Sequence, residues 1–244
     1  NILNRYGCIS QEEALKHKPY TRFEKERCNE MWQTDFKGDF LLGNGMRCYP
    51  LTILDDHSRF SIRIEPKSSA TGVKDSFIQA LQEFGLPNSV LSDNGAQFAG
   101  AHRGLSQFER FLMDLDILPI HGRPIHPQTQ GKIERFHRTL KKEALRVTPS
   151  NMEEARIRLD NWRWVYNEIR PHHSLELKTP SSVYQPSTRP YYEPKPYIYD
   201  EGARLIKVNN WGYIRFGPMQ LFLSEAMADT HVEIRFDDND TFSI

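Results

Sequence analysis

The chain has 244 residues, with 38% hydrophobic and 26% charged side chains, and its 32 basic and 32 acidic residues give a formal net charge of zero. That composition suits one large globular domain, or a large and a small one. No apolar run approaches the roughly 20 residues of a membrane-spanning helix. Three widely spaced cysteines without a CxxC pair argue against a disulfide framework or a structural zinc site, and they favour a reducing cytoplasm. The chain begins with Asn rather than Met, which predicts a fragment of a longer protein.

Neutral charge is a mild argument against nucleic-acid binding, because proteins that bind polyanions are usually basic. The charges are nevertheless unevenly distributed. Residues 121–150 hold seven Lys and Arg side chains against two Glu. A local basic surface is therefore expected in this part of the chain.

The first two thirds of the sequence predict a mixed sheet flanked by helices. Residues 1–29 are polar and predict a helical arm or linker. Short turns then join three strands, which must pair antiparallel. The first begins at Glu30 and carries the alternation of Trp32, Thr34 and Phe36, and the others cover about Tyr49–Leu54 and Phe60–Ile64. Apolar spacing predicts the next elements in the order helix, strand, helix, strand, helix, helix, at about 70–84, 89–92, 105–115, 117–120, 128–146 and 152–169. Five strands result, within a core domain of residues 30–186.

The composition changes after the core. Residues 187–202 are rich in proline and predict an extended linker. Residues 203–244 contain short β-like runs separated by turns, which predict a small β-barrel, either complete or truncated at Ile244.

Three acidic residues are expected to gather at one edge of this sheet. Asp35 lies within the first strand, Asp93 ends the fourth, and Glu134 lies in the first turns of the third helix. Oxygen ligands suit Mg²⁺, and two such ions roughly 4 Å apart can assist both the attack on a phosphodiester and the departure of the leaving oxygen. Taken alone, such acids are more often turn or surface residues, so the surrounding sequence has to decide.

The predicted helix that carries Glu134 has two different sides. Ile133, Phe136 and Leu140 form an apolar stripe, whereas Glu134, His137, Arg138 and Lys141 lie on another side. One side therefore packs, and the other presents a carboxylate together with cations suited to phosphate.

Five segments together resemble the DDE transposases of bacterial insertion sequences, whose core is similar to that of retroviral integrases. They occur in the family's order, over roughly residues 30–186, and read WQTDFKG, LTILDDHSRF, SDNGAQF, HGRPIHPQTQGKIERFHRTLKKE and YNEIRPHHSLELKTPSSVY. The interval between the second and third acids is a few residues longer than in the best known members, with the extra length expected near residues 100–104.

The resemblance implies an RNase H-like fold and a C-terminal barrel of the SH3-like kind. It implies catalysis by Asp35, Asp93 and Glu134 with two Mg²⁺ or Mn²⁺ ions, Asp35 bridging both and each other acid completing one. The reaction would be cleavage of transposon-end DNA followed by transfer of the freed 3′ end to target DNA. Lys141 would contact DNA near the cut.

Further contacts and partners are expected around this core. The candidate DNA-binding residues besides Lys141 are Arg123, Gln128, Gln130, Lys132, His137 and Arg138. Transposon-end and target DNA and a second copy of the chain are the expected partners, with no membrane, in a bacterial cytoplasm near the nucleoid.

Other interpretations stay open. Asp55 and Asp56 are expected to have a structural role, with Asp56 bonding Ser58 or Arg59 in a turn. Trp162, Trp164 and Tyr166 are expected to pack on the core, with base stacking as the alternative. His172 and His173 are expected to form a helix end and turn rather than a metal site. Two functional alternatives are a nuclease of the same fold that cuts without joining, and a silent or domesticated DNA-binding fragment.

Overall fold

The computed structural model describes residues 24–100, 104–122, 131–236 and 242–243. Most of the predicted N-terminal arm therefore lies outside the described residues. So do the candidate DNA contacts Arg123, Gln128 and Gln130.

One mixed sheet organises the molecule. Its strands are β1 Trp32–Phe36, β2 Phe40–Leu41, β3 Arg47–Asp55, β4 Ser61–Lys67, β5 Ser89–Ser92 and β6 Leu118–His121. β3 pairs antiparallel with β4 along one edge and with β1 along the other, which confirms the three antiparallel strands expected from the short turns. β5 then pairs parallel with both β1 and β6. The expected five strands are present, and β2 is a sixth, because two residues after the Gly38 bend pair with the start of β3.

Helices cover the sheet. They are α1 Val73–Phe84, α2 Gln107–Met113, α3 Gly131–Glu143, α4 Met152–Trp164 and the short α5 Pro180–Val183. α1 and α2 bury Phe77, Phe108 and Phe111 in one apolar cluster with the sheet residues Trp32 and Ile53. A second cluster joins α3 and α4 to the sheet through Leu54, Ile64, Phe136, Leu140 and Trp162. The predicted packing of Trp162 and Tyr166 is confirmed, and the Trp162 indole Nε1 donates to Glu143 Oε2 at 2.8 Å. The same prediction is wrong for Trp164, which is 58% exposed because it lies on the outer side of α4.

The region after the core packs against it from its first residues. Ser187 N donates to Phe84 O at 2.8 Å, and Arg189 Nη2 donates to the carbonyls of Leu115 and Asp116 at 3.1 and 3.0 Å. Part of the predicted linker is therefore held on the surface of the core.

The C-terminal region contains the expected short strands, β7 Leu205–Lys207, β8 Tyr213–Phe216, β9 Met219–Phe222, β10 His231–Glu233, β11 Arg235–Phe236 and β12 Phe242–Ser243. In the part of the chain that the structure describes, they form three separate two-stranded pairs, so a closed barrel is not confirmed. Val208, Ile214 and Val232 nevertheless share one apolar cluster. Ser224 Oγ donates to Leu105 O at 2.7 Å and fastens this region to the start of α2.

Candidate catalytic site

The parallel pairing of β1 and β5 brings Asp35 and Asp93 to the same edge of the sheet. Gln33 lies opposite Leu91 in this register. Asp35 lies two residues further along β1, and Asp93 directly follows the end of β5 at Ser92. The negative charge of Asp93 acts on Asp35, which agrees with this closeness. The two predicted acids are therefore neighbours across adjacent strands.

Glu134 reaches this edge from α3. Ile133 and Phe136 are buried and anchor the helix on the sheet, while Glu134 is exposed on its outer side. Its charge acts on Asp35, as the pKa of Asp35 shows. Burial raises that pKa to about 7, and the negative charges of Asp93 and then Glu134 add to the rise. The three acids thus share one electrostatic environment.

This donor set matches the chemistry of a hard divalent cation, because it offers carboxylate oxygens whose mutual repulsion such an ion would relieve. The geometry is looser than that of a formed metal centre. Among the described residues, no group of three His, Cys, Asp or Glu side chains is arranged closely enough to hold a metal ion.

A histidine buried beneath the acids contacts Asp35. His137 Nδ1 lies 3.8 Å from Asp35 Oδ2, and His137 Nε2 lies 2.7 Å from Thr52 Oγ1. The Thr52 hydroxyl donates to the carbonyl oxygen of Asp35 at 2.9 Å. Burial, followed by the charge of Lys37, lowers the pKa of His137 to about 3. His137, expected to contact DNA, lies instead beneath the acidic edge as a neutral ring.

Two hydrogen-bonded features hold the loop that carries Asp93. Asp93 Oδ1 accepts from Gly95 N at 2.9 Å, which closes a tight turn. His121 connects the end of β6 to α2, since its Nε2 lies 2.8 Å from Glu109 Oε1 and its Nδ1 3.2 Å from Ser92 Oγ. The end of β5, next to Asp93, is therefore held in place by β6 and, through His121, by α2.

Lys37 is a residue of this site that the sequence analysis passed over. Burial lowers the pKa of Lys37, and the neighbouring charge of Lys141 lowers it further, so the two ammonium groups share one region. The signal was available, because Lys37 follows Asp35 by two positions and side chains two apart on a strand share a face. Lys141 and Arg138 are exposed on α3.

Lys132 is bound inside the protein. Its Nζ lies 2.6 Å from Asp56 Oδ2, and only 14% of its side chain is exposed. Asp56 also accepts a hydrogen bond from Gln33 Nε2 at 2.7 Å. The Lys132 ammonium group and the Gln33 amide therefore both stabilise the negative charge of Asp56. The ammonium group that was expected to meet DNA is committed to this buried ion pair.

Asp55 and Asp56, at the end of β3, both have the expected structural role, although their hydrogen-bond partners differ from those predicted. Asp55, not Asp56, closes the turn, because its Oδ2 accepts from the backbone and hydroxyl of Ser58 at 2.8 and 2.6 Å. Asp56 points the other way, towards α3. Both carboxylates are fully buried.

Family models give the fold and site a context. A model described as an integrase core domain matches residues 25–127, and a second one with the same description matches residues 115–180. The chain contains an integrase core domain. Together the two matches span most of the segment that carries Asp35, Asp93 and Glu134.

Relatives of this integrase core are found in bacterial insertion elements. The chain is 30% identical over 156 residues to an insertion element IS407 protein of Burkholderia multivorans, covering 63% of this chain and 54% of that protein. It is 32% identical over 149 residues to an insertion element IS476 protein of Xanthomonas euvesicatoria, covering 60% and 41%. The chain thus spans about half the length of the curated relatives it matches. The resemblance to insertion-sequence transposases with a retroviral-integrase-like core is confirmed.

Solved structures agree on the fold. The catalytic core domain of HTLV-2 integrase, solved in complex with magnesium, aligns with a TM-score of 0.52 at 18% identity, covering 66% of this chain and all of that chain. A chain of the simian T-cell lymphotropic virus intasome, solved in complex with a PP2A regulatory subunit, aligns with a TM-score of 0.55 at 17% identity, covering 95% and 94%. The integrase core therefore has the predicted RNase H-like α/β fold. No helix in the described ranges is both long and apolar enough to cross a membrane.

Proposed function

We propose that this chain is the catalytic core of a DNA transposase that cleaves transposon-end DNA and transfers the 3′ end to target DNA. Asp35, Asp93 and Glu134 are the proposed ligands of Mg²⁺ or Mn²⁺, with two ions in the active complex. The observation that carries the proposal is the strand register that sets Asp35 beside Asp93, with Glu134 close enough to raise the pKa of Asp35.

The chain's own residues prepare the site for that chemistry. Asp35 is held by its strand, and its backbone carbonyl accepts from the Thr52 hydroxyl. His137 stays uncharged beside it, so the imidazole ring does not neutralise the carboxylate that a metal needs. When bound, the divalent ions would stabilise the negative charge that develops on the phosphate and on the leaving oxygen.

DNA contacts are proposed on the exposed side of α3. Arg138 and Lys141 lie one and two helical turns after Glu134 on α3, and Lys37 lies near Lys141. Cations of this kind position the phosphodiester backbone without reading its sequence. Arg123, Gln128 and Gln130 precede α3 in the chain and remain proposed contacts.

The remaining assignments complete this proposal. Residues 30–186 form the catalytic core, with an arm before it, a linker at 187–202, and an SH3-like barrel from 203 whose strands share the Val208 cluster. The active form is a homo-oligomer on DNA in the bacterial cytoplasm, at the nucleoid.

The test is metal-dependent nicking and joining of labelled transposon-end DNA by wild type and Glu134→Gln, with Glu153→Gln as a control that removes an exposed acid from α4. Loss of both activities in Glu134→Gln, with DNA binding retained, supports the proposal. Equal activity in all three proteins would remove Glu134 from the site. A pre-cut DNA end separates transposition from simple nuclease action, because a nuclease cuts but does not join.

A binding-only fragment is the second candidate. The loose arrangement of the acids among the described residues favours it. DNA binding that depends on salt, without cleavage by wild type under any divalent ion, would support this candidate against the catalytic one.

A further inference from the structure

A cavity of about 540 Å³ lies beside α3, on the side away from the acidic edge. Its walls come from three parts of the chain: the turn after β3, the first turns of α3, and the segment after α4. The polar residues that line it include Arg59, Lys132, Arg135, Arg170, His172 and Ser174. Positive side chains from three elements therefore face one enclosed space.

Two polar atoms in this wall are buried without a partner. Among the described residues, Arg59 Nη1 and His172 Nε2 are buried nitrogen atoms that make no hydrogen bond. Arg59 is only 6% exposed, and its other terminal nitrogen, Nη2, is held by Glu24 Oε1 at 2.5 Å. A buried guanidinium nitrogen left unpaired is unfavourable, so this atom points to a ligand that accepts hydrogen bonds.

The acids nearby do not neutralise the whole cluster. Asp56 binds Lys132, Glu24 binds Arg59, and Glu143 binds Arg170. Arg135 is exposed at the rim, and no acidic side chain among the described residues pairs with it. The cavity therefore carries positive charge that is open to an anion.

The shape of these donors indicates the kind of anion. A planar guanidinium group presents two parallel donors that match the oxygens of a phosphate group. Arg135 also follows Glu134 directly, so the cavity opens beside the helical turn that carries the candidate carboxylate.

We infer that this cavity binds a phosphate group. If the proposed function holds, the source of that group is the DNA backbone, held on α3 at a point away from the site of reaction. This part of the inference rests on the proposed function, whereas the phosphate site itself does not.

The experiment measures binding of a labelled DNA duplex in EDTA, so that catalysis plays no part. Arg135→Gln is compared with Arg156→Gln, which removes an exposed arginine from α4 that does not line the cavity. We expect Arg135→Gln to weaken binding about tenfold and to reduce the slope of log affinity against log salt by about 0.9, the value for one lost phosphate contact. Arg156→Gln should match wild type. Equal affinities and slopes for both variants would overturn the DNA backbone as the source of the phosphate. If inorganic phosphate also fails to distinguish wild type from Arg135→Gln, the phosphate site itself is overturned.

A double-mutant cycle tests whether one phosphate is shared. Arg170→Gln removes the guanidinium on the facing wall, and the double variant should lose less affinity than the product of the two single effects. If the losses of binding free energy in the two single variants add up to the loss in the double variant, a shared site is overturned. Arg135 and Arg170 would then act on DNA independently. Unchanged thermal midpoints in the single variants confirm that folding is intact.

Inorganic phosphate separates the two sources. If phosphorus NMR lines broaden with wild type but not with Arg135→Gln while DNA affinities are equal, the cavity binds free phosphate and the DNA source is overturned. The DNA-binding assay contains EDTA, so its result does not depend on a metal ion held by Asp35, Asp93 or Glu134. A failure of the catalytic proposal in the cleavage assay therefore leaves these binding results interpretable on their own.

Discussion

The imidazole of His137 joins the carboxylate of Asp35 to the hydroxyl of Thr52. Its Nδ1 lies 3.8 Å from Asp35 Oδ2, and its Nε2 lies 2.7 Å from Thr52 Oγ1. The Thr52 hydroxyl has one hydrogen, which it donates to the Asp35 carbonyl, so it accepts from Nε2–H. This fixes the neutral tautomer, with the Nδ1 lone pair towards Asp35. Thr52 and His137 therefore position Asp35.

We predict that Thr52→Val, which keeps the shape but removes the hydroxyl, lowers the free energy of unfolding by about 1–3 kcal/mol because it leaves the Nε2–H group of His137 without its acceptor. Strand transfer should fall further than the loss of folded protein explains. Urea unfolding and the joining assay measure the two effects. Thr71→Val, in an exposed turn, is the control, and equal results for both variants would contradict a positioning role.

The raised pKa of Asp35 predicts how stability changes with pH. Because the folded-state pKa of about 7 lies above the ordinary value of 3.8, the folded chain holds this proton more tightly than the unfolded chain does. The stability from this group is therefore complete below about pH 4 and is lost as the pH rises through about 7. Asp35→Asn should unfold with at most about 4 kcal/mol more free energy than wild type at pH 8, and nearly the same at pH 4. Asp160→Asn, at an exposed position of α4, should track wild type throughout.

Metal binding should be coupled to the same proton. At pH 6.5 a Mg²⁺ or Mn²⁺ ion on Asp35 must displace the proton that the carboxyl holds, so binding should release close to one proton. Calorimetry in two buffers of different ionisation enthalpy measures this number. Binding should tighten as the pH rises through 7 and disappear in Asp35→Asn. Proton release of zero in wild type would argue against Asp35 as a ligand.

Gly85 ends α1 where the chain meets the start of the predicted linker. Its φ of +77° is one that side chains rarely adopt, and an added Cβ would lie 2.7 Å from the carbonyl oxygen of Arg189. Gly38 has a similar φ of +87° with no atom within 4 Å of an added Cβ. Gly38→Ala should therefore cost about 1–2 kcal/mol from the backbone alone, and Gly85→Ala clearly more. If both variants lose the same free energy of unfolding in urea, residues 187–189 move aside to accommodate the added methyl group at position 85 at little cost.

Lys141 is the cation proposed to meet DNA next to the acids. Lys141→Gln should reduce the salt slope of DNA binding by about 0.9 and leave the unfolding free energy nearly unchanged, because this side chain is exposed. Lys142→Gln is the control, because it removes the same charge from an equally exposed position of the same helix. If both variants bind alike, the effect comes from net charge and not from a contact of Lys141.

The sequence by itself predicted most of the elements and singled out the three candidate acids. Hydrophobic alternation around Asp35 and the apolar stripe of Ile133, Phe136 and Leu140 are local patterns, so they predict strands and helices without knowledge of distant partners. Short turns between the first three strands forced antiparallel pairing, because a parallel pair needs a long crossover. The motifs around the acids carried the family resemblance, which the family models confirm.

The tertiary structure decided which charges face each other. Lys132 and Lys141 look alike in sequence, yet one is buried against Asp56 and the other is exposed, because the turn after β3 happens to meet the first turn of α3. His137 becomes a neutral ring because burial and the charge of Lys37 lower its pKa, and its hydrogen-bond partner Thr52 lies 85 positions away in the sequence. Burial and long-range pairing depend on how distant segments pack. The contacts of Asp35, and the cavity at Arg59, could not be read from spacing along the chain.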